Sequence, residues 1–435
     1  MKRIKRRAAA ALVLAILVVV WLGAFTVRLA RDGGEWAAYS ANRHIYQNGI
    51  LSGGTITDRN GVVLAKSENG SFSYAEDAAL RTAVLHAVGD VRGYTGTSAL
   101  TLFAPALSGY DFVRGTPGGG ADLALSLDSE VQRTAYESLA GRAGAVFVYN
   151  YENGEILCMA SSPSYDPTET PDGSIDGLFL NRCIGAAYTP GSVFKLVTLL
   201  AAYENIPDLG ERRFWCEQEI EIGGDIVHCT GWHGEQTVEQ ALANSCNCAF
   251  AAIARELGGE TIAKYAEKLG LSGSLTLDGA ETASGHFAQA AAGSSLEAWS
   301  GIGQHEDLVT PYAMARYCGA IAAGGIAHEP TLLLGGKNGS TRLLTAEAAE
   351  YLGGCMNYNV IYGYGSERFP GLDLCAKSGT AELGDGTTNA WFTGYLKSGA
   401  PLAFAVVIEN GGGGLTNAGA LANTVLQKAA EKYAP

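Results

Sequence analysis

Thr189-Pro190-Gly191-Ser192-Val193-Phe194-Lys195-Leu196-Val197 sets a hydroxyl and an amine three residues apart in otherwise apolar sequence. Thr189 is a good helix cap and Pro190 suits a first helical position. Ser192 is therefore expected in the first turn, with Lys195 on the same face and within reach. From Val193 to Ala202 most residues are apolar, the pattern of a helix buried on most sides. A lysine in such a helix needs a reason, because lysine is rarely buried without a partner. Desolvation lowers its proton affinity and makes it a base for the Ser192 hydroxyl, while the helix N-terminus favours the negative charge that develops as the oxygen attacks a carbonyl.

Ser-x-x-Lys is short enough to arise by chance, so its company decides the reading. Ser245-Cys246-Asn247 and Lys377-Ser378-Gly379-Thr380 follow it, in the order and rough spacing of the S-x-x-K, S-x-N, K-[TS]-G set of penicillin-recognising serine enzymes. In these residues the chain resembles the class B penicillin-binding proteins. From about residue 121 onward the resemblance is close. It extends to Gly144-Ala145-Val146 with Tyr149, Gly154-Glu155-Ile156-Leu157, Asn181-Arg182, Gly301-Ile302-Gly303-Gln304, Thr310-Pro311 and Met314-Ala315. It implies an α+β transpeptidase domain over 121–435, an antiparallel sheet flanked by helices, with the site between the sheet and a helical part.

The resemblance also implies roles. Ser192 is the nucleophile, Lys195 its base, Ser245 a proton relay to the leaving amine, and Asn247 the group that holds the substrate's peptide bond. Lys377, on an edge strand with Ser378 and Gly379, binds the substrate carboxylate, and the Thr380 N–H joins that of Ser192 in an oxyanion hole. Ser378 stands where many relatives carry threonine, which keeps the hydroxyl. The implied reaction is cross-linking of peptidoglycan stem peptides through a serine ester, inhibited by β-lactams and needing no cofactor.

Alternatives on the same residues are a D,D-carboxypeptidase or a β-lactamase-like hydrolase. From another class come a non-catalytic division or elongation scaffold and a β-lactam sensor. A scaffold needs no intact motifs, and a sensor usually needs further membrane spans. A β-lactamase needs a base for water; Asp278, Glu281 and Glu297 match no such glutamate and read as solvated acids. Some short patterns are decoys. Lys397-Ser398-Gly399 falls where a turn must join Ala390–Tyr395 to Leu402–Ile408. Ser40-Ala41-Asn42 and Ser67-Glu68-Asn69 lie outside the interval between the first and third motifs. Gly301-Ile302-Gly303 lacks the strand and capped helix of a nucleotide loop, and is expected to wall the cleft.

The chain has 435 residues, 47% hydrophobic and 17% charged, enough for a large core. Its formal charge is −14 although Lys2, Arg3, Lys5, Arg6 and Arg7 crowd the start, which excludes nucleic acid as a partner. Residues 8–27 form an uncharged apolar run long enough to span a bilayer once. The basic residues 1–7 before it predict a cytoplasmic tail, with all that follows outside. A cleaved signal is disfavoured, since its apolar core is shorter and no small-x-small site follows.

Residues 28–120 are expected to form a small pedestal. Gly54 to Ala65 reads as strand, Asn60-Gly61 turn, strand, similar to the start of the family's N-terminal domain except for Gly53, where the family usually has arginine. Gly118-Gly119-Gly120 reads as a linker. The span is too short for a glycosyltransferase domain, so such an enzyme of the cell-wall machinery is expected as a separate partner.

Nine cysteines, an odd number, leave at least one unpaired within the chain. Cys216, His228, Cys229 and His233 cluster in sequence, but their spacing fits no common zinc pattern, so no metal is expected. Buried free thiols, or a local disulfide, are the expectation.

Overall fold

A computed structural model describes residues 1–38, 54–68, 71–109, 113, 120–289 and 291–433. Gly53, Ser40-Ala41-Asn42, Asn69 and the first two glycines of the Gly118-Gly119-Gly120 linker lie outside the described residues.

At the centre is a five-stranded antiparallel sheet in the order Leu374–Glu382, Thr388–Leu396, Leu402–Ile408, Gly144–Asn150, Ile156–Ser162. Both faces are covered, so Gly144–Asn150, Ile156–Ser162 and Leu402–Ile408 are buried at nearly every position rather than at alternate ones. Val146, Val148, Phe392, Phe404 and Val406 lie under the helices Ser129–Leu139 and Ala420–Tyr433. Ala145, Phe147, Tyr149, Trp391 and Val407 face the helix Pro311–Ala322 and the larger helical core. A hairpin joins Gly144–Asn150 to Ile156–Ser162. Gly154 supplies its positive φ of 83°, and the Asn150 carboxamide oxygen accepts from the N–H groups of Glu152 and Asn153.

Before the main sheet, Thr55–Thr57 pairs antiparallel with Val63–Glu68 and parallel with Leu123–Ala124, so a strand just past residue 120 joins a small second sheet. In the turn between the first two, Asp58 Oδ1 accepts from the N–H groups of Asn60 and Val62, both at 2.8 Å. This turn fastens to the main sheet layer. Arg59 pairs with Glu155 at 3.0 Å and stacks over the Tyr433 ring, and Asn60 Nδ2 donates to Asp128 Oδ2 at 3.0 Å. Asp128 caps the helix Ser129–Leu139, accepting from Glu130 and Val131 N–H, as its sequence position suggests. The same buried carboxylate accepts from Tyr433 Oη at 2.5 Å and pairs with Lys432 at 2.9 Å. These contacts, with desolvation opposing them, hold its pKa down to about 2.

The apolar N-terminal run lies in one exposed helix, Lys2–Ala38, whose segment Lys2–Gly34 is long and apolar enough to cross a membrane. It is consistent with a single-pass membrane anchor.

Candidate active site

Ser192 lies in a 3-10 turn, Gly191–Phe194, that runs into the helix Lys195–Asn205. From Lys195 to Ala202 every residue is buried, as the apolar pattern predicts. The expected Thr189 cap is absent, because the first turn is 3-10 and Pro190, not Thr189, stands at its N-cap position, with no side-chain cap. Thr189 instead offers its carbonyl to Trp391 Nε1 at 2.9 Å, which ties the turn to the sheet. Gly191 has φ +56°, and a Cβ there would stand 3.1 Å from the backbone of Thr380 and Ala381, so only glycine brings the turn so close to the edge strand. Behind it, Gly303 carbonyl accepts from Gly191 N–H at 2.7 Å and Thr198 Oγ1 donates to the Gly301 carbonyl, so the Gly-x-Gly stretch is a wall of the site.

Lys195 is fully buried, and its ammonium donates to the Ser245 carbonyl at 2.7 Å, to Asn247 Oδ1 at 2.8 Å and to Ser245 Oγ at 3.3 Å. Among the described residues none of its hydrogen bonds goes to Ser192 Oγ, so the two are neighbours on one turn without a bond between them. Burial pushes the Lys195 pKa down to about 8.

Ser245 sits in the loop between the helices Val238–Ala243 and Asn247–Leu257. Its φ of +50° is rare for a residue with a Cβ and aims its hydroxyl at both lysines. Lys377, also fully buried, donates to Ser245 Oγ at 3.0 Å. Its own strand, Leu374–Glu382, is the sheet edge. Burial, and then the charge on Lys195, hold its pKa well below the ordinary lysine value.

On this edge strand Ser378, Thr380 and Glu382 face the cleft in alternation. Gly379 lies against the Pro190 carbonyl, where a Cβ would come within 2.6 Å. Tyr364 holds Ser378: its hydroxyl donates to Ser378 Oγ at 2.9 Å and accepts from Ser378 N–H at 2.6 Å. The cleft is an open cavity of about 670 Å³ lined by Ser192, Ser245, Asn247, Ser378 and Thr380, together with His228, Cys229, Thr230, Trp299, Ile302, Gln304 and Glu382. Ser192, Lys195, Ser245, Asn247, Lys377, Ser378, Gly379 and Thr380 thus converge. Tyr364, Glu382 and the hairpin residues His228, Cys229 and Thr230 are additions that no motif signals.

Lys397 is exposed in the turn after Thr388–Leu396, and Ser398 bonds Asp373. Two of the acids expected on the surface are instead structural. Glu297 is buried and accepts from Gly259 and Gly293 N–H, and Asp278 accepts from Thr331 Oγ1, Leu332 N–H and Asn338. Glu281 is exposed and bonds Ser274. The Cys216/His228/Cys229/His233 grouping also changes. His228 is exposed beside Glu219, while Cys216 and Cys229 meet Cys246 and Cys248.

Three likenesses bear on this geometry. Over 228 residues the chain is 32% identical to stage V sporulation protein D of Bacillus subtilis, covering 49% of this chain and 35% of that protein. It is 26% identical over 358 residues to the peptidoglycan D,D-transpeptidase PbpA of Mycolicibacterium smegmatis, with 71% of each chain covered. A ceftriaxone acyl-enzyme complex of penicillin-binding protein A from Mycobacterium tuberculosis superposes with a TM-score of 0.72 at 22% identity, covering 86% of this chain and 97% of that one, a likeness of fold. The pattern of the penicillin-binding protein transpeptidase domain matches residues 144–429, a span that contains all three motifs and the whole central sheet, and by that match the chain belongs to the penicillin-binding protein transpeptidase family.

Proposed function

We propose that the chain is a serine D,D-transpeptidase that cross-links peptidoglycan stem peptides and is acylated by β-lactams. The observation that carries this reading is the placement of Ser245 Oγ 3.3 Å from Lys195 Nζ and 3.0 Å from Lys377 Nζ, beside the cleft that exposes Ser192. Neutral Lys195 takes the Ser192 proton as Oγ attacks the penultimate D-alanine carbonyl of the donor. The backbone N–H groups of Ser192 and Thr380 hold the developing oxyanion. As the C–N bond breaks, the departing D-alanine amine receives its proton through Ser245. An amine of a neighbouring stem then attacks the ester, forming the new amide and returning the proton to Ser192. Asn247 holds the donor backbone, and Lys377 with Ser378 and Thr380 holds its terminal carboxylate.

The helix Lys2–Ala38 anchors the chain with its basic start in the cytoplasm and the cleft outside. Residues 28–120 form the pedestal and 121–435 the transpeptidase domain. A separate glycosyltransferase supplies the strands to be joined.

The test is labelling with a fluorescent penicillin. One adduct on a Ser192 peptide, absent in Ser192→Ala, is expected. An adduct on another serine, or none on folded protein, would overturn the assignment.

A further inference from the structure

Beside the cleft, four thiols converge. Cys216 and Cys229 come from the two strands of the hairpin Phe214–Ile222 and Asp225–Gln236, and Cys246 and Cys248 from the start of the helix Asn247–Leu257. Their four Sγ atoms all lie within 4.8 Å of one another. Three of these residues are buried, and Cys229 is half-buried on the cleft wall. Cys229 Sγ is 3.8 Å from Cys246 Sγ. A tetrahedral ion with bonds of about 2.3 Å to sulfur sets its ligands about 3.8 Å apart.

Two backbone donors already address these sulfurs, Asn247 N–H to Cys229 Sγ at 3.2 Å and Ala249 N–H to Cys246 Sγ at 3.4 Å. Such bonds strengthen when the acceptor is a thiolate. His233 Nδ1 stands 3.5 Å from Cys216 Sγ and 3.6 Å from Cys229 Sγ, a further donor at the rim. No other cysteines form such a group among the described residues.

We propose that Cys216, Cys229, Cys246 and Cys248 bind one zinc ion as four thiolates. Four Zn–S bonds form as the four thiols give up their protons to solvent, and the backbone N–H groups and His233 temper the resulting negative charge. An all-sulfur set selects a soft ion over magnesium or calcium, and four protein ligands leave no open position, so the ion is structural.

Its consequence is local. Cys246 lies between Ser245 and Asn247, the two residues that hold the Lys195 ammonium. The ion therefore staples the hairpin to the loop that keeps Ser245 in its left-handed conformation. That coupling rests on the reading of Ser192 as nucleophile; the presence of the ion does not.

The test takes full-length protein purified without chelator or added metal, with metals counted by plasma mass spectrometry and thiols titrated after denaturation. Expected are about one zinc per chain and all nine thiols free. Cobalt substitution should give the intense visible bands of a tetrahedral thiolate site. Cys216→Ser and Cys248→Ser lose the zinc, whereas Cys355→Ser keeps it. Stripping the ion slows β-lactam acylation at least about tenfold, and zinc restores it. Metal-free wild type, with the four thiols either free or joined in two disulfides, overturns the proposal. Zinc bound in a protein that never acylates would count against Ser192 and leave the ion standing.

Discussion

Lys195 and Lys377 bring two buried amines to one hydroxyl; desolvation keeps protons off both, and the Lys195 charge adds to it at Lys377. The direction matters for rate, because only a neutral Lys195 accepts the Ser192 proton. With its pKa down at about 8, β-lactam acylation should climb as pH rises toward 8 and level off above it, a profile that stopped-flow mixing reads directly. Lys195→Ala should abolish the climb and slow acylation by about 10²- to 10⁴-fold. Lys397→Ala, in its exposed turn, should leave the rate alone; penicillin binding lost there but kept in Lys377→Ala would reverse the motif assignment. The types and order of these residues were legible in the sequence, because a buried lysine in an apolar helix is anomalous. Their bonding was not. The 3-10 turn displaced the Thr189 cap, Lys195 turned to Ser245 and Asn247, and the left-handed Ser245 leaves no trace in its residue type.

At the scale of elements, apolar runs mark the strands around 145–149, 156–160, 390–395 and 402–408 and the nucleophile helix, although Thr393 and Gly394 interrupt the third strand and Lys195 and Thr198 the helix. Contacts between remote elements were hidden. Nothing in the spacing of Cys216, Cys229, Cys246 and Cys248 shows that a hairpin folds over a helix start, and Glu297 and Asp278 read as surface acids until two loops close on them. Asp128 is the strongest case, a cap visible in sequence whose partners Asn60, Lys432 and Tyr433 are not. Asp128→Asn keeps a capping side chain but loses the charge, so it should cost about 1.5–3 kcal/mol in urea unfolding. Because the folded pKa lies below the unfolded one, this contribution is present above about pH 4 and is lost as pH falls through about 2. In a titration of unfolding midpoint, the wild type should lose its advantage over Asp128→Asn across that window; an advantage that survives at pH 2 would place it elsewhere.

For the whole molecule, transpeptidation and hydrolysis diverge after the ester forms. Among the described residues Glu382 is the one carboxylate lining the cleft, and Asp278 and Glu297 are held by backbone donors elsewhere. The penicilloyl ester should therefore persist for many minutes in water, and a substrate-derived acyl-enzyme should turn over once a stem-peptide amine is supplied. Mass spectrometry over time that shows quick release of hydrolysed penicillin would favour the hydrolase. The sheet that carries this chemistry also imposes a schedule on its making. Gly144–Asn150 pairs with Leu402–Ile408, and Asp128 with Lys432 and Tyr433, so these early residues wait for partners made much later in the chain. Until they arrive, apolar strand edges stand unpaired, and closure is a slow, late event. A nascent chain therefore carries an open sheet through most of its synthesis, and the cleft takes shape only once residues 402–433 have been made.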